Sequence, residues 1–335
     1  MTPSATLRAI LIAGVGAVAV SACAADAPLS AAEQVAQMKR GVNIVGYDPI
    51  WQDPSKARFK PRHFKIIKDG GFDTVRINLY GFRKMNEQLE LDPQWFATLD
   101  MLVAEATKQN LHVILDEHDY ERCTDDTELC RRQLRAFWTQ VGEHYKDAPP
   151  NVVFEMLNEP NRKMDAIWNS LIAETLPVIR KSNPTRNVII GPAFWNNISH
   201  LPQLELPADD RHIIVTVHYY EPHTFTHQGA SWSPEYTGLS GLTWGTPADY
   251  AKIEQDFDKA QAWAKQHDRP ILLGEFGAYD KAPQESRIKY TAAVARAAEK
   301  RGWAWTYWQF DSNFVVYDVD KDQWNEPIYR ALVTP

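Results

Sequence analysis

Short apolar, β-branched runs recur along the chain and are separated by longer segments with helical spacing. The runs cover 41–45, 74–79, 111–116, 151–157, 187–190, 212–217, 270–274 and 304–307. Several are apolar without alternation, as expected of strands buried on both faces. The segments between them read as helices. Tyr250, Ile253, Phe257, Ala260 and Ala264 fall on one stripe. The Ala-rich stretch 285–301 ends at Gly302, a residue suited to the position just past a helix. Segment 167–179 is periodic but contains Pro177, which predicts a kink. Eight strand–helix units without a Gly-rich cofactor turn predict a single closed (β/α)8 TIM barrel over 34–335. A doubly wound sheet is the alternative, but 41–46 lacks the glycine spacing of a dinucleotide turn.

The chain begins differently. Arg8 is followed by an unbroken apolar run, 9–20, too short for a bilayer that needs about 20 residues. A charged start, a short apolar core and small residues after it predict a signal peptide over 1–22. Val20-Ser21-Ala22-Cys23 resembles a lipobox, in which Cys23 would carry a lipid; ordinary cleavage within the same small-residue stretch is the alternative. Cys123 and Cys130 lie seven positions apart in a polar loop and can pair in an oxidising compartment, which leaves Cys23 over. Residues 23–33 read as a tether. The expectation is an exported protein, periplasmic, secreted, or attached to a membrane through Cys23.

Length and composition (335 residues, 44% apolar, 24% charged) fit one barrel with a large core. A net charge of −7 argues against nucleic acid, whose phosphates require a basic face. Trp is abundant at 12 residues, enough to furnish both core and stacking platforms.

Polar residues gather where the runs end, the place where barrel chemistry resides. Arg76 and Asn78 end the second run; Asp116, Glu117 and His118 the third. Asn158 and Glu159 follow the fourth, His218 and Tyr220 the sixth, Glu275 the seventh and Trp308 the eighth. So many polar groups at one rim read as a site, because each is costly to bury alone. Glu159 and Glu275 are the sharpest pair. Cleaving an acetal requires a proton donor on one side of the bond and a nucleophile or base on the other. His118, His218, Asp116 and Glu117 offer metal-ligand chemistry, but the chain has neither H-x-H nor H-E-x-x-H, and no metal or cofactor is expected.

Asn158-Glu159-Pro160 after one apolar strand and Gly274-Glu275-Phe276-Gly277 after another resemble glycoside hydrolase family 5, the cellulase family. The ordered set Arg76, His118, Asn158-Glu159, His218-Tyr219-Tyr220, Glu275 and Trp308 carries that resemblance from Gly41 to about Leu332. It implies that Glu159 is the acid/base and Glu275 the nucleophile of a retaining double displacement, their carboxyls about 5–5.5 Å apart. It also implies that Arg76 fixes the nucleophile and Asn158 bonds the sugar 2-hydroxyl. Tyr220 would donate to Glu275, and His218 would adjust Glu159 or hold the sugar. Trp308 would floor the pocket beside a −1 sugar site lined by His118. The family often has two adjacent histidines at the third strand end; here Asp119 follows His118. A second Asn325-Glu326-Pro327 precedes a short helix and reads as a cap and first turn.

The loop 219–249 is long and polar, and holds Trp232, Tyr236 and Trp244. Trp232, Trp244, Trp195 and Trp51 are candidate sugar platforms, whereas Trp138, Trp168 and Trp263 read as core. Residues 219–229 resemble the same stretch of bacterial endoglucanases, which favours a β-1,4-glucan substrate and an endoglucanase; a monomer is expected. A retaining β-mannanase, xyloglucanase or exo-β-glucosidase stays open on the same fold. A non-catalytic carbohydrate-binding barrel is the alternative from another class; it predicts the loss of one glutamate, and both are present.

Overall fold

The structure, a computed structural model, describes residues 28–334 and, at the start, Met1 alone. The apolar core of the expected leader and Cys23 lie outside the described residues. Eight strands close in sequence order into an all-parallel barrel: β1 (Arg40–Ile44), β2 (Thr74–Asn78), β3 (His112–Asp116), β4 (Val152–Glu155), β5 (Val188–Ile190), β6 (Ile213–Tyr219), β7 (Ile271–Phe276) and β8 (Ala304–Tyr307). β8 returns to pair with β1. Every apolar run noted in the sequence forms its strand, with ends within two residues.

Helices cover the barrel. Asp92 caps Pro93–Lys108 through the N–H of Gln94, and Asp126 caps Thr127–His144. The helix Trp168–Ser182 continues through Pro177 as one element. Pro247–His267 buries Ile253, Phe257, Ala260 and Ala264 on its inner stripe. Gln284–Lys300 ends with Gly302 in the left-handed region at φ 75, where an absent Cβ removes the penalty.

The barrel interior is layered. Ile114, Val153, Ile189, Ile214, Leu272 and Ala304, one from each of β3 to β8, form an apolar floor. Ala31, Val35 and Met38 pack beneath it from the helix Ala31–Met38, which Ser30 and Glu33 start with reciprocal cap bonds. Gln34, on the same helix, bonds His112 Nδ1 at 2.8 Å and accepts from Asn187 at 3.1 Å. The segment read as a tether is therefore part of the domain from Ser30 onward. Small residues read as spacer sequence supply a plug, because Ala fits under a closed strand ring.

Above the floor the inward positions become polar: Asn43, Arg76, Glu155 and Thr216, all fully buried. One irregularity re-aims the strand ends. β6 and β7 pair Val217 with Leu273, then His218 with Glu275, which leaves Gly274 as an extra residue. Strict alternation from inward Leu272 would turn Glu275 outward; the bulge turns it in beside His218. A Cβ on Gly274 would sit 2.5 Å from Thr216 Oγ1 and 2.9 Å from His218 Nε2, so only glycine fits there.

Candidate active site

Arg76 is the centre of a buried network at the C-terminal ends of the strands. Its Nε and one terminal nitrogen grip Glu155 at 2.7 and 2.8 Å. The same terminal nitrogen bonds Asn158 Oδ1 at 2.7 Å and lies 3.2 Å from Asp116. The other donates to Asn43 Oδ1 and to Glu275 Oε1, both at 2.8 Å. Burial disfavours the guanidinium's charge, but Asp116, Glu155 and Glu275 outweigh it and hold its pKa well above the ordinary value. Tyr220 donates from the other side to Glu275 Oε2 at 2.9 Å. Burial, with Glu275 and Glu159 adding to it, raises Tyr220 well above the usual phenol value and keeps it a donor.

Glu159 sits just past β4 with φ 43, a left-handed conformation rare for a glutamate, and Asn161 Nδ2 donates to its carbonyl at 2.6 Å. Its Oε1 lies 2.8 Å from His218 Nδ1, which is itself 3.6 Å from Glu275 Oε2. One oxygen of Glu159, one of Glu275 and a ring nitrogen of His218 all lie within 4.8 Å of one another. Burial pushes Glu159 up to about 7 against the pull of His118 and Arg76. Burial also lowers His218 to about 4 against the opposing field of Glu275, so its imidazole is neutral near pH 7. One carboxyl is thus a ready acid at neutral pH, while the other rests against a cation and a phenol. Among the described residues, Glu159, His218 and Glu275 are the group whose spacing could hold a metal ion. Glu117 takes no part, since its oxygens accept the backbone N–H groups of Gly81 and Asp119.

Aromatic side chains pack beside the network. Trp308 stacks on His118, 5.5 Å between centroids and 7° between planes. Burial disfavours a charge on His118, but Asp116 at 2.6 Å outweighs it and raises the ring's pKa. Asp119 does not replace a second histidine in the pocket; it is fully buried and pairs with Arg83. Trp195 is 44% exposed, and its backbone N–H donates to the carbonyl of Pro160, beside Glu159. Trp232 is 51% exposed and packs on Tyr279 and Phe314, which cluster with Trp308.

Two expected platforms fail. Trp244 is only 4% exposed, wedged between Tyr250 and Tyr290 as a packing residue under its loop. Trp51 is buried too, donating to the Asn78 carbonyl and leaning on Trp95. Trp138, Trp168 and Trp263 are buried, as their helical spacing suggests. Cys123 and Cys130 form a disulfide.

Several site residues were not singled out from the sequence. Glu155 hides inside an apolar strand, Asn43 in the first. Asn196 bonds His218 Nε2 at 3.2 Å. Tyr47, 71% exposed, stands edge-on to Trp308 at 6.1 Å. For Glu155 a signal existed: a polar residue at an inward strand position, two residues past Val153 of the apolar floor.

A closed (β/α)8 barrel with two facing carboxyls at the C-terminal strand ends is the architecture of a barrel glycoside hydrolase. The chain belongs to the cellulase family, glycosyl hydrolase family 5, whose family model matches residues 35–314. Endoglucanase H of Acetivibrio thermocellus is 28% identical over 90% of this chain and 33% of that protein. The chain spans a third to a half of the first curated relatives it matches. Among solved structures, the endoglucanase of hyperthermophilic Thermotoga maritima is 37% identical with a TM-score of 0.86, covering 91% of this chain and all of that one. Structures of that enzyme with cellobiose and with mannotriose match equally well. The cellulose synthase subunit Z of Clostridioides difficile is 34% identical with a TM-score of 0.83, over 88% of this chain and 99% of that one.

Proposed function

We propose that the protein is a retaining endo-β-1,4-glucanase. The observation that carries this reading is the approach of Glu159 and Glu275 to within 4.8 Å. Retaining glycosidases hold their carboxyls about 5–5.5 Å apart, whereas inverting ones leave about 6.5–9.5 Å for a water. Glu275, held by Arg76 and Tyr220, attacks the anomeric carbon as Glu159 gives its proton to the departing glycosidic oxygen. Water then attacks the glycosyl ester, loses a proton to Glu159 and restores Glu275. Asn158, fixed by Arg76, bonds the sugar 2-hydroxyl in this reading, a contact that tightens in an oxocarbenium-like transition state. The Trp308–His118 stack floors the sugar site, and Trp195 and Trp232 offer further faces along the cleft.

The relatives' names support a β-1,4-glucan, and the mannotriose complex of the Thermotoga enzyme supports mannan as a second substrate. Glu275→Gln should lower turnover on soluble β-1,4-glucan by several orders of magnitude with folding intact; near-normal turnover sinks the assignment. Reducing-sugar release from cellulose, mannan, xylan, xyloglucan and lichenan identifies the backbone cleaved. A sharp early fall in viscosity distinguishes internal cleavage from attack at chain ends.

We further infer export, with Cys23 lipidated. The charged start, the apolar run and the small residues around Cys23 support it, as does the Cys123–Cys130 disulfide. Mass spectrometry of the mature N-terminus tests it, and an unmodified start past Cys23 refutes it.

A further inference from the structure

The glycosidase reading assigns no role to Glu155. This side chain is fully buried on β4, touches no open part of the cleft, and lies four residues before Glu159. Three carboxylates surround the one guanidinium of Arg76: Asp116 from β3 at 3.2 Å, Glu155 from β4 at 2.7 Å and Glu275 from β7 at 2.8 Å. Asp116 and Glu275 already outweigh the single charge of Arg76. A third buried carboxylate is expensive. What it adds is direction, since Glu155 alone holds Arg76 at two points, and a two-point bond fixes the guanidinium plane. With the Nε edge occupied, the remaining hydrogens can point only at Asn158, Asn43 and Glu275.

We propose that Glu155 is a positioning residue for the reaction, aiming Arg76 so that one nitrogen fixes Glu275 and another fixes Asn158. This rests on the roles given above to those two residues. Both act on the sugar as the transition state forms, so a misaimed Arg76 weakens the chemical step more than substrate binding. Glutamine keeps the shape of Glu155 but turns an N–H group toward an N–H of Arg76. The guanidinium must then rotate, and its bonds to Glu275 and Asn158 go with it.

The test is Glu155→Gln, checked for folding by its melting curve and assayed on β-1,4-glucan. The expected result is a kcat lower by roughly ten- to hundredfold with KM little changed. Glu155→Asp, which keeps both acceptor oxygens, should recover part of the loss. In an Arg76→Lys background, which cannot form the two-point bond, adding Glu155→Gln should cost little more, because both changes break one unit. A folded Glu155→Gln enzyme with wild-type kcat, or a full multiplicative loss in the double variant, overturns the proposal. If the glutamine variant does not fold, the aspartate variant carries the same kcat-against-KM comparison. A crystal structure of either variant reads the Arg76 orientation without any turnover. Should Arg76 keep both bonds there, Glu155 does not aim it, whatever the substrate proves to be.

Discussion

The tripeptide Asn-Glu-Pro occurs twice in this molecule, and its two copies share almost nothing but their letters. At 158–160 it follows β4. Asn158 accepts from Arg76, and Glu159 is strained, mostly buried and 2.8 Å from His218. At 325–327 it opens the helix Glu326–Val333. There Glu326 is half exposed and pairs with Arg330 one turn along at 2.6 Å. Asn325 begins that helix but makes no side-chain cap bond; its amide donates to the Val315 carbonyl at 3.2 Å instead. Burial and neighbours turn the same glutamate into an acid held near neutrality at one place and an ordinary ion-pair member at the other.

Substitution sharpens the contrast. Glu159→Gln should lower turnover on β-glucan by on the order of 10²–10⁴-fold, the usual worth of a general acid. An aryl glycoside whose leaving group needs no proton should lose far less in the first step. Equal losses on both substrates would remove Glu159 from the acid role. Asn158→Ala should come next, with a loss concentrated in kcat and absent on a 2-deoxy substrate. Asn325→Ala should change no kinetic constant; a kinetic defect there would mean that the second copy reaches the cleft.

The pH profile follows with a smaller effect. Glu159 must be protonated to act, and burial raises it to about 7. Activity should therefore fall as pH rises through about 7, a limb set by Glu159. The sign for stability is the same. A carboxyl with a raised folded-state pKa stabilises the fold below its unfolded value, and that contribution is lost as pH climbs to about 7. Glu159→Gln should remove this loss from melting curves taken across pH 4.5 to 7; an unchanged slope would contradict the buried acid.

Glu326→Gln is expected to have the smallest effect, within about 0.5 kcal/mol of stability, as for exposed i,i+4 pairs. A chelator should leave turnover unchanged, and strong inhibition would give the Glu159–His218–Glu275 group to a metal.

The sequence by itself determined the barrel and much of its rim. β-Branched runs buried on both faces have few other solutions than a parallel sheet covered by helices, and eight in a row close. The polar residues that interrupt those runs at their ends stand out because burying them alone is costly. Tertiary structure decided what neither period nor composition encodes. The extra residue at Gly274 is a matter of register between two strands, yet it turns Glu275 toward Glu159. Whether a loop tryptophan faces sugar or protein depends on contacts from remote helices, which bury Trp244 and leave Trp232 open. The Ala-rich start looks like spacer until a floor of six apolar side chains gives it something to cover. Glu155 reads as a stray charge in a strand until Arg76, 79 residues away, closes on both its oxygens.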